Sequence, residues 1–162
     1  MNLKDSIRSI PNFPKEGILF KDITSLLEDQ DAFQNCVNQL IDESKKFSFN
    51  KIAAIESRGF IFASTLSYLL SKPFILIRKK NKLPSETLSI EYDLEYGSET
   101  IEIHKNSIQQ NDKVLIVDDL IATGGSASAS ASLIELCKGI VSGFLFVIDL
   151  QELNGAKDLS NN

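Results

Sequence analysis

Histidine, cysteine and an excess of basic residues are what this sequence has little of. Its 162 residues include one histidine, two cysteines and no tryptophan, and the formal net charge is -5. With His104 as the single histidine and no GxSxG elbow, there is almost no room for an HExxH zinc site or an ordinary Ser-His-Asp hydrolase. The acidic balance argues against a protein that mainly holds nucleic acid or an anionic membrane, because such proteins need a dense basic field. We therefore expect no nucleic acid and no membrane among its partners.

The cysteines Cys36 and Cys137 are too few for a disulfide framework or a four-ligand zinc site. We expect them to be buried free thiols. The first residues, MNLKDSIRSI, lack the apolar region of a signal peptide, and no apolar run is long enough to span a membrane. Together these features predict a protein of the reducing cytoplasm.

Apolar periodicity predicts alternating strands and helices within one domain, residues 1–162, because no repeat or linker divides the sequence. An irregular stretch, Pro11 to Glu28, is expected to precede a helix capped by Asp31. Further helices are predicted over Ser57–Leu70 and Ser126–Leu136, and strands over Ile52–Ile55, Phe74–Ile77, Leu88–Tyr92 (antiparallel to Thr100–His104), Val114–Val117 and Phe144–Ile148. The fold class is therefore α/β, a parallel twisted sheet flanked by helices.

The segment VLIVDDLIATGG contains the most informative polar residues. It carries a buried strand into Asp118 and Asp119, and then into a turn with Gly124 and Gly125. Adjacent carboxylates repel phosphate but accept hydrogen bonds from hydroxyl groups, whereas a glycine turn before a helix can direct backbone N–H groups at a phosphate. The two features together predict a sugar phosphate ligand, although each alone is compatible with an ordinary strand end or turn.

Other phosphate-binding motifs are missing. No glycine is followed by lysine, so the sequence lacks GxxxxGK[ST], and it also lacks GxGxxG. A P-loop nucleotide enzyme and a dinucleotide-binding fold are therefore excluded.

The segment VLIVDDLIATGGS resembles the phosphoribosyl diphosphate (PRPP) motif of type I phosphoribosyltransferases. Four more segments resemble the adenine-specific family in particular: IPNFPKEGILFKDIT, IESRGF, IRKKNKLPSET and YDLEYGSETIEIHK. The resemblance runs in order from Ile10 to about Leu150. It implies transfer of phosphoribose from PRPP to adenine, which yields AMP and pyrophosphate, with Mg²⁺ held mainly through PRPP.

The resemblance also implies roles for individual residues in PRPP binding. Asp118 and Asp119 match the ribose-binding acids, and Arg58 matches an arginine that contacts pyrophosphate. A cis peptide bond is expected between Glu56 and Ser57. The remaining PRPP residues implied are the 5′-phosphate loop Ala122, Thr123, Gly124, Gly125 and Ser126, and the loop cations Arg78, Lys79 and Lys82.

For the base, the resemblance implies that Glu95 handles the proton at purine N7. Adenine is expected to contact Leu19, Phe20 and Lys21, with Leu150 closing the pocket. The family fold adds a small hood formed by residues 10–28 and 149–156, and a mobile β-hairpin loop over residues 78–100. The resemblance also implies a homodimer, in which Arg78 of one subunit reaches the active site of the other.

Alternative interpretations remain open at this point. Without the family, Glu95 is an ordinary surface residue, Phe20 a core residue and RKKNK a solvated loop. A related enzyme could use hypoxanthine, guanine, xanthine or orotate, and the same fold could serve as a non-catalytic PRPP sensor or regulator. Assaying each base with PRPP would distinguish the related enzymes, and an assay for AMP formation would distinguish an enzyme from a non-catalytic sensor.

Overall fold

The chain forms two compact units in the computed structural model, which describes residues 2–160. The first unit ends at Asp42 and the second begins at Glu43. The expectation of a single domain stays a prediction. No helix in the described part of the chain is both long and apolar enough to cross a membrane.

In the first unit, two short strands form an antiparallel hairpin, β1 (Arg8–Pro11) with β2 (Leu19–Asp22). Helix α1 (Thr24–Glu28) follows, and the stretch from Pro11 to Glu28 is therefore not irregular as predicted. The prediction failed because these strands are only four residues long and neither shows the alternating burial of a half-buried strand: β1 is largely exposed, and burial in β2 increases along the strand.

Helix α2 (Gln30–Ser44) begins one residue before the predicted cap. The Asp29 carboxylate accepts a hydrogen bond from the Ala32 N–H at 3.0 Å, and the Asp29 carbonyl accepts one from the Phe33 N–H at 2.9 Å. Asp29 is thus the N-cap, and Asp31 lies in the first turn, where its negative charge favours the helix dipole. Buried Cys36, Val37 and Leu40 form the apolar face of α2.

The second unit is built on a six-stranded sheet. Its strands are β3 (Lys51–Ile55), β4 (Phe74–Lys79), β5 (Thr87–Asp93), β6 (Ser98–His104), β7 (Lys113–Ile121) and β8 (Ile140–Asp149). They lie in the order β5-β6-β4-β3-β7-β8. Strands β4, β3, β7 and β8 are mutually parallel, while β6 is antiparallel to both β4 and β5. The predicted α/β class and the antiparallel pairing of β5 with β6 are confirmed.

Two helices cover the central strands, α3 (Arg58–Leu70) and α4 (Gly125–Leu136). Alternate residues of the strands, including Ile77, Ile101 and Ile116, pack in one cluster with Leu133 and Ile134 of α4. The intervening residues of β3 and β7 are buried as well, and α3 contacts both strands. Burial on both sides explains the continuous aliphatic runs of these strands in the sequence.

The structure changes two boundaries near the predicted site. Arg78 and Lys79 belong to the end of β4, so the connection to β5 covers only residues 80–86. Strand β7 continues to Ile121, past the two aspartates that were predicted to end it. It can do so because β8 remains paired with it as far as Ile121, whereas its pairing with β3 reaches only Ile116.

Candidate functional site

A cavity of about 890 Å³ opens in the second unit, at the carboxyl ends of β3 and β7. This is the edge at which open parallel sheets bind their ligands. The amino end of α4 and the hairpin between β5 and β6 complete the wall. Eleven residues named from the sequence line it: Arg58, Lys79, Lys82, Glu95, Asp118, Asp119, Ala122, Thr123, Gly124, Gly125 and Ser126.

The two aspartates project from the part of β7 that extends beyond β3. Asp119 is 5% exposed, and its Oδ2 lies 2.7 Å from Nε of Arg58. Asp118 accepts a hydrogen bond on Oδ1 from the Asp119 N–H at 2.8 Å. Burial, and then the adjacent negative charge of Asp119, raise the pKa of Asp118 to about 7. One carboxyl of the pair therefore gains or loses its proton near neutral pH.

The turn between β7 and α4 lines the same cavity with residues 122–126. Gly124 is the N-cap of α4, with φ of +87°, a conformation that L side chains rarely adopt. The Ser128 N–H donates to the Gly124 carbonyl at 2.9 Å and so makes the first hydrogen bond of the helix. No side chain caps α4, which leaves the N–H groups of its first turn for an anion.

Basic residues converge on the cavity from α3 and from the end of β4. Nζ of Lys79 lies 3.3 Å from Glu99 Oε2, and Nη2 of Arg78 lies 3.3 Å from Glu56 Oε2. Glu56 also accepts a hydrogen bond from the Lys79 N–H at 2.5 Å. Burial alone would raise the pKa of Glu56, but these hydrogen bonds and the positive charges lower it below its usual value. Glu56 thus holds the start of the basic loop as a carboxylate.

Arg78 is the one loop cation named from the sequence that does not line the cavity in the described part of the chain. Its guanidinium is instead engaged with Glu56. The peptide bond between Glu56 and Ser57 is cis, as predicted.

Glu95 lies in the turn of the β5–β6 hairpin. Leu94 donates its N–H to the Gly97 carbonyl at 2.9 Å, which closes the turn around Glu95 and Tyr96. The Glu95 side chain is exposed and lines the cavity. A carboxylate in this position can reach a ligand while it remains in contact with solvent.

The residues predicted to contact adenine are not brought together within the second unit. Leu19, Phe20 and Lys21 form most of β2 in the first unit, where Phe20 packs edge-on against Phe13 with ring centroids 5.1 Å apart. Nζ of Lys21 lies 2.8 Å from the Ser9 hydroxyl. Leu150 is half-buried, and Leu153, three residues later, lines the cavity in its place. The adenine-binding role of all four residues stays a prediction.

Nine further residues of the cavity wall were not named as site residues from the sequence, among them Ser57, Tyr92 and Leu153. Ser57 and Tyr92 lie inside segments that had already been singled out, so their position beside Arg58 and Glu95 was an available signal. Burial raises the pKa of the Tyr92 hydroxyl, and nearby Glu99 and Asp118 raise it further. Leu153 lies in the segment 149–156 that was assigned to the hood, but only Leu150 of that segment was named for the pocket.

The chain matches one protein family over most of its length. The family described as phosphoribosyl transferase domain matches residues 23–147. An adenine phosphoribosyltransferase of Pelagibacter ubique is 60% identical over 159 residues, which cover 98% of this chain and 91% of that protein. The chain belongs to the adenine phosphoribosyltransferase family.

Solved structures of adenine phosphoribosyltransferases share the fold. The crystal structure from Thermoanaerobacter pseudethanolicus superposes with a TM-score of 0.93 at 48% identity and covers 97% of this chain and 91% of that one. The Saccharomyces cerevisiae enzyme, crystallised with adenine and an imino-altritol 1,6-bisphosphate, gives a TM-score of 0.89 at 39% identity, over 96% and 90% of the two chains.

Proposed function

We propose that this phosphoribosyltransferase transfers the 5-phosphoribosyl group of PRPP to adenine and releases AMP and pyrophosphate, a step of purine salvage. The observation that carries the proposal is one cavity that combines the Asp118–Asp119 pair with the Gly124 turn. Family membership supports adenine as the base. The Saccharomyces cerevisiae relative, crystallised in complex with adenine and an imino-altritol 1,6-bisphosphate, supports a site that holds a base beside a phosphorylated group.

In the proposed complex, the sugar and its 5′-phosphate are bound by β7 and the start of α4. Asp118 and Asp119 accept hydrogen bonds from the vicinal ribose hydroxyls, each worth about 1.5 to 3 kcal/mol. The 5′-phosphate accepts hydrogen bonds from the backbone of the loop over residues 122–126. A dianionic phosphate gains further from the positive end of the α4 dipole.

Pyrophosphate is proposed to face Arg58, Lys79 and Lys82. Arg58 lies 2.7 Å from Asp119, so the group that binds pyrophosphate is held by one of the groups that bind ribose. No group of three or more His, Cys, Asp or Glu side chains is placed to hold a metal within residues 2–160. Mg²⁺ commonly keeps few protein ligands and binds through substrate phosphates, so it is proposed to be held mainly through PRPP. Mg²⁺ would neutralise charge on the departing pyrophosphate.

Glu95 is the proposed acid and base for adenine. As the bond to N9 forms, the purine ring gains positive character, and a carboxylate beside N7 stabilises this charge and exchanges the N7 proton. Phe20 is proposed to stack on the ring, with Leu19, Lys21 and Leu150 around it. Assays of adenine, hypoxanthine, guanine and xanthine with PRPP test the choice of base. Turnover with one of the other purines and none with adenine would contradict adenine as the substrate.

We expect the Asp118→Asn and Asp119→Asn changes to weaken PRPP binding and leave the fold intact, because each removes a charge-assisted contact of about 1.5 to 3 kcal/mol. Calorimetry with PRPP and Mg²⁺ measures this loss. Asp149→Asn, at the end of β8 and outside the cavity wall, is the matched control. Parent-like affinity in the double variant would contradict the ribose assignment.

The same pair gives PRPP binding a dependence on pH. The pKa of Asp118 is raised to about 7, so this carboxyl loses its proton, and becomes a stronger acceptor for ribose hydroxyls, as the pH rises through that value. Affinity for PRPP should therefore increase between about pH 6 and pH 8. The Asp118→Asn variant should retain only the part that comes from PRPP's own phosphates, and calorimetry of both proteins at matched pH values separates the two contributions.

We also propose that the connection between β4 and β5 closes over bound PRPP and keeps water away from the reacting carbon. Limited trypsin digestion should then show protection of the bonds after Lys79, Lys80 and Lys82 when PRPP and Mg²⁺ are added. The bonds after Lys45 and Lys46, which follow α2, serve as the internal control. Cleavage of the loop at an unaltered rate would contradict the closure.

A homodimer in the cytoplasm completes the proposal. Exposed apolar side chains on α3 support an interface, since Tyr68 is 85% exposed and Leu69 50% exposed. Arg78 would leave Glu56 to reach the neighbouring active site. The two buried free thiols suit a reducing compartment. Analytical ultracentrifugation at the assay concentration tests the dimer. A monomer with full activity would contradict the proposed dimer and the role of Arg78 across its interface.

A further inference from the structure

The segment after β8 approaches the proposed 5′-phosphate loop at Gly155. From Gln151 to Asp158, every described residue is exposed except Gly155, which is buried at the start of the short helix α5 (Gly155–Ser160), and α5 contacts α4. Within residues 151–158, Gly155 is therefore the residue packed most closely against the rest of the second unit.

The contact at Gly155 is backbone against backbone. A Cβ atom at this position would overlap the carbonyl oxygen of Ala122 and would lie 2.9 Å from both the Gly124 nitrogen and the Thr123 carbonyl carbon. The approach is reciprocal, because a Cβ on Gly124 would lie 3.1 Å from the Gly155 carbonyl oxygen. Only a residue without a side chain allows these two pieces of backbone to lie so close.

The atoms crowded by Gly155 are those that would set the direction of the phosphate-binding N–H groups. Ala122, Thr123 and Gly124 carry the chain from β7 to α4, and Gly124 takes a positive φ there. A loop without large side chains of its own needs support from outside to hold one conformation. Gly155 gives that support because its backbone packs against the backbone of residues 122–124.

We infer that Gly155 is a positioning residue for PRPP: it fixes the conformation of the 5′-phosphate loop without touching the substrate. The inference rests on the proposed function, since it takes residues 122–126 as the loop that binds the 5′-phosphate. The segment also places Leu153 in the cavity wall, so the same short stretch contacts the loop at one residue and lines the cavity at another.

The test is Gly155→Ala, assayed for the KM of each substrate and for kcat. The displaced loop should lose one or two charge-assisted hydrogen bonds to phosphate, so the KM for PRPP should rise about 10- to 100-fold. The KM for adenine and kcat at saturating PRPP should stay within about threefold, less than the loss of one such bond. A general loss of folding would lower activity without this separation between the two substrates.

Gly143→Ala is the matched control. Its Cβ would overlap the ring of Phe47, near the amino end of β8 and away from the cavity, so it adds crowding without contact to the loop. Its KM for PRPP should equal that of the parent. A rise equal to that of Gly155→Ala would show that crowding anywhere produces the effect, and the inference would fail.

A second variant decides the case if Gly155→Ala does not fold. Asn154→Val keeps the full chain and strains the backbone immediately before Gly155, because Asn154 is exposed and has φ of +58°, which a β-branched residue resists. Its KM for PRPP should also rise, whereas an unchanged value would show that the loop holds its conformation whatever the placement of Gly155.

The Gly124→Val variant separates this inference from the proposed function. Unchanged PRPP affinity in Gly124→Val would show that residues 122–126 do not bind the 5′-phosphate, and this would contradict the proposed function. Weakened affinity in Gly124→Val with a parent-like Gly155→Ala would leave the loop in place and overturn only the role of Gly155.

Discussion

Turnover of the Glu95→Gln variant is expected to fall by about 10²- to 10⁴-fold, the usual contribution of a positioned acid or base. Glutamine keeps the size of the side chain and one acceptor oxygen, but it loses the charge and the exchangeable proton. PRPP affinity should hardly change, because Glu95 would face the base. Steady-state rates with adenine, together with PRPP calorimetry, measure the two effects separately.

The pH profile adds a second readout for Glu95. In the parent, Glu95 should exchange a proton with the base during turnover, and the Glu95→Gln variant should lack this exchange at every pH. Glu91→Gln, on the same hairpin but outside the cavity wall, makes the same chemical change and should leave turnover intact. Turnover of Glu95→Gln within about threefold of the parent, far short of the ~10² expected, would make Glu95 a structural residue only.

Gly124→Val is expected to have the second large effect, a loss of PRPP affinity of about 10²-fold or more, because it adds backbone strain to the loss of phosphate contacts. Gly124 has φ of +87°, which a β-branched residue resists, and the added side chain would also meet the Gly155 carbonyl. Calorimetry with PRPP and Mg²⁺ gives the affinity.

The control for backbone strain is Gly17→Val. Gly17 has φ of +85°, but a Cβ there would meet nothing within 4 Å, and the residue belongs to the turn of the first unit. PRPP affinity equal to the parent in Gly17→Val and reduced in Gly124→Val would assign the loss to the loop. PRPP affinity equal to the parent in Gly124→Val would leave residues 122–126 without a role in phosphate binding.

The fold was predictable where one local pattern decided the structure. Val114–Val117 lies in a central strand buried on both faces, and its unbroken aliphatic run showed this. The β1–β2 hairpin was not predictable, since it depends on pairing between residues eight to fourteen positions apart, such as Arg8 with Asp22, whose ion pair spans the two strands. The N-cap of α2 was shifted because Asp29 and Asp31 are both suitable residues and only the backbone conformation distinguishes them.

The site was predictable to the extent that its residues are neighbours in sequence. The acids and the glycine turn lie within nine consecutive residues, Asp118 to Ser126, so their chemistry could be read together. The ion pairs of the site could not be predicted, because nothing in the sequence indicates that Arg58 pairs with Asp119 or that Arg78 pairs with Glu56. These partners are set by where α3 begins and where β4 ends, which the sheet determines as a whole.

The reactivity of the two buried thiols can be used to measure local opening of the chain. Cys36 lies in the first compact unit and Cys137 in the second, and burial raises the pKa of both, to about 11 for Cys36. Because the thiolate is the reactive form, alkylation at neutral pH requires each cysteine to be exposed first. The labelling rate of Cys36 therefore follows opening of one unit and that of Cys137 opening of the other, with no probe to be introduced and no site residue to be altered.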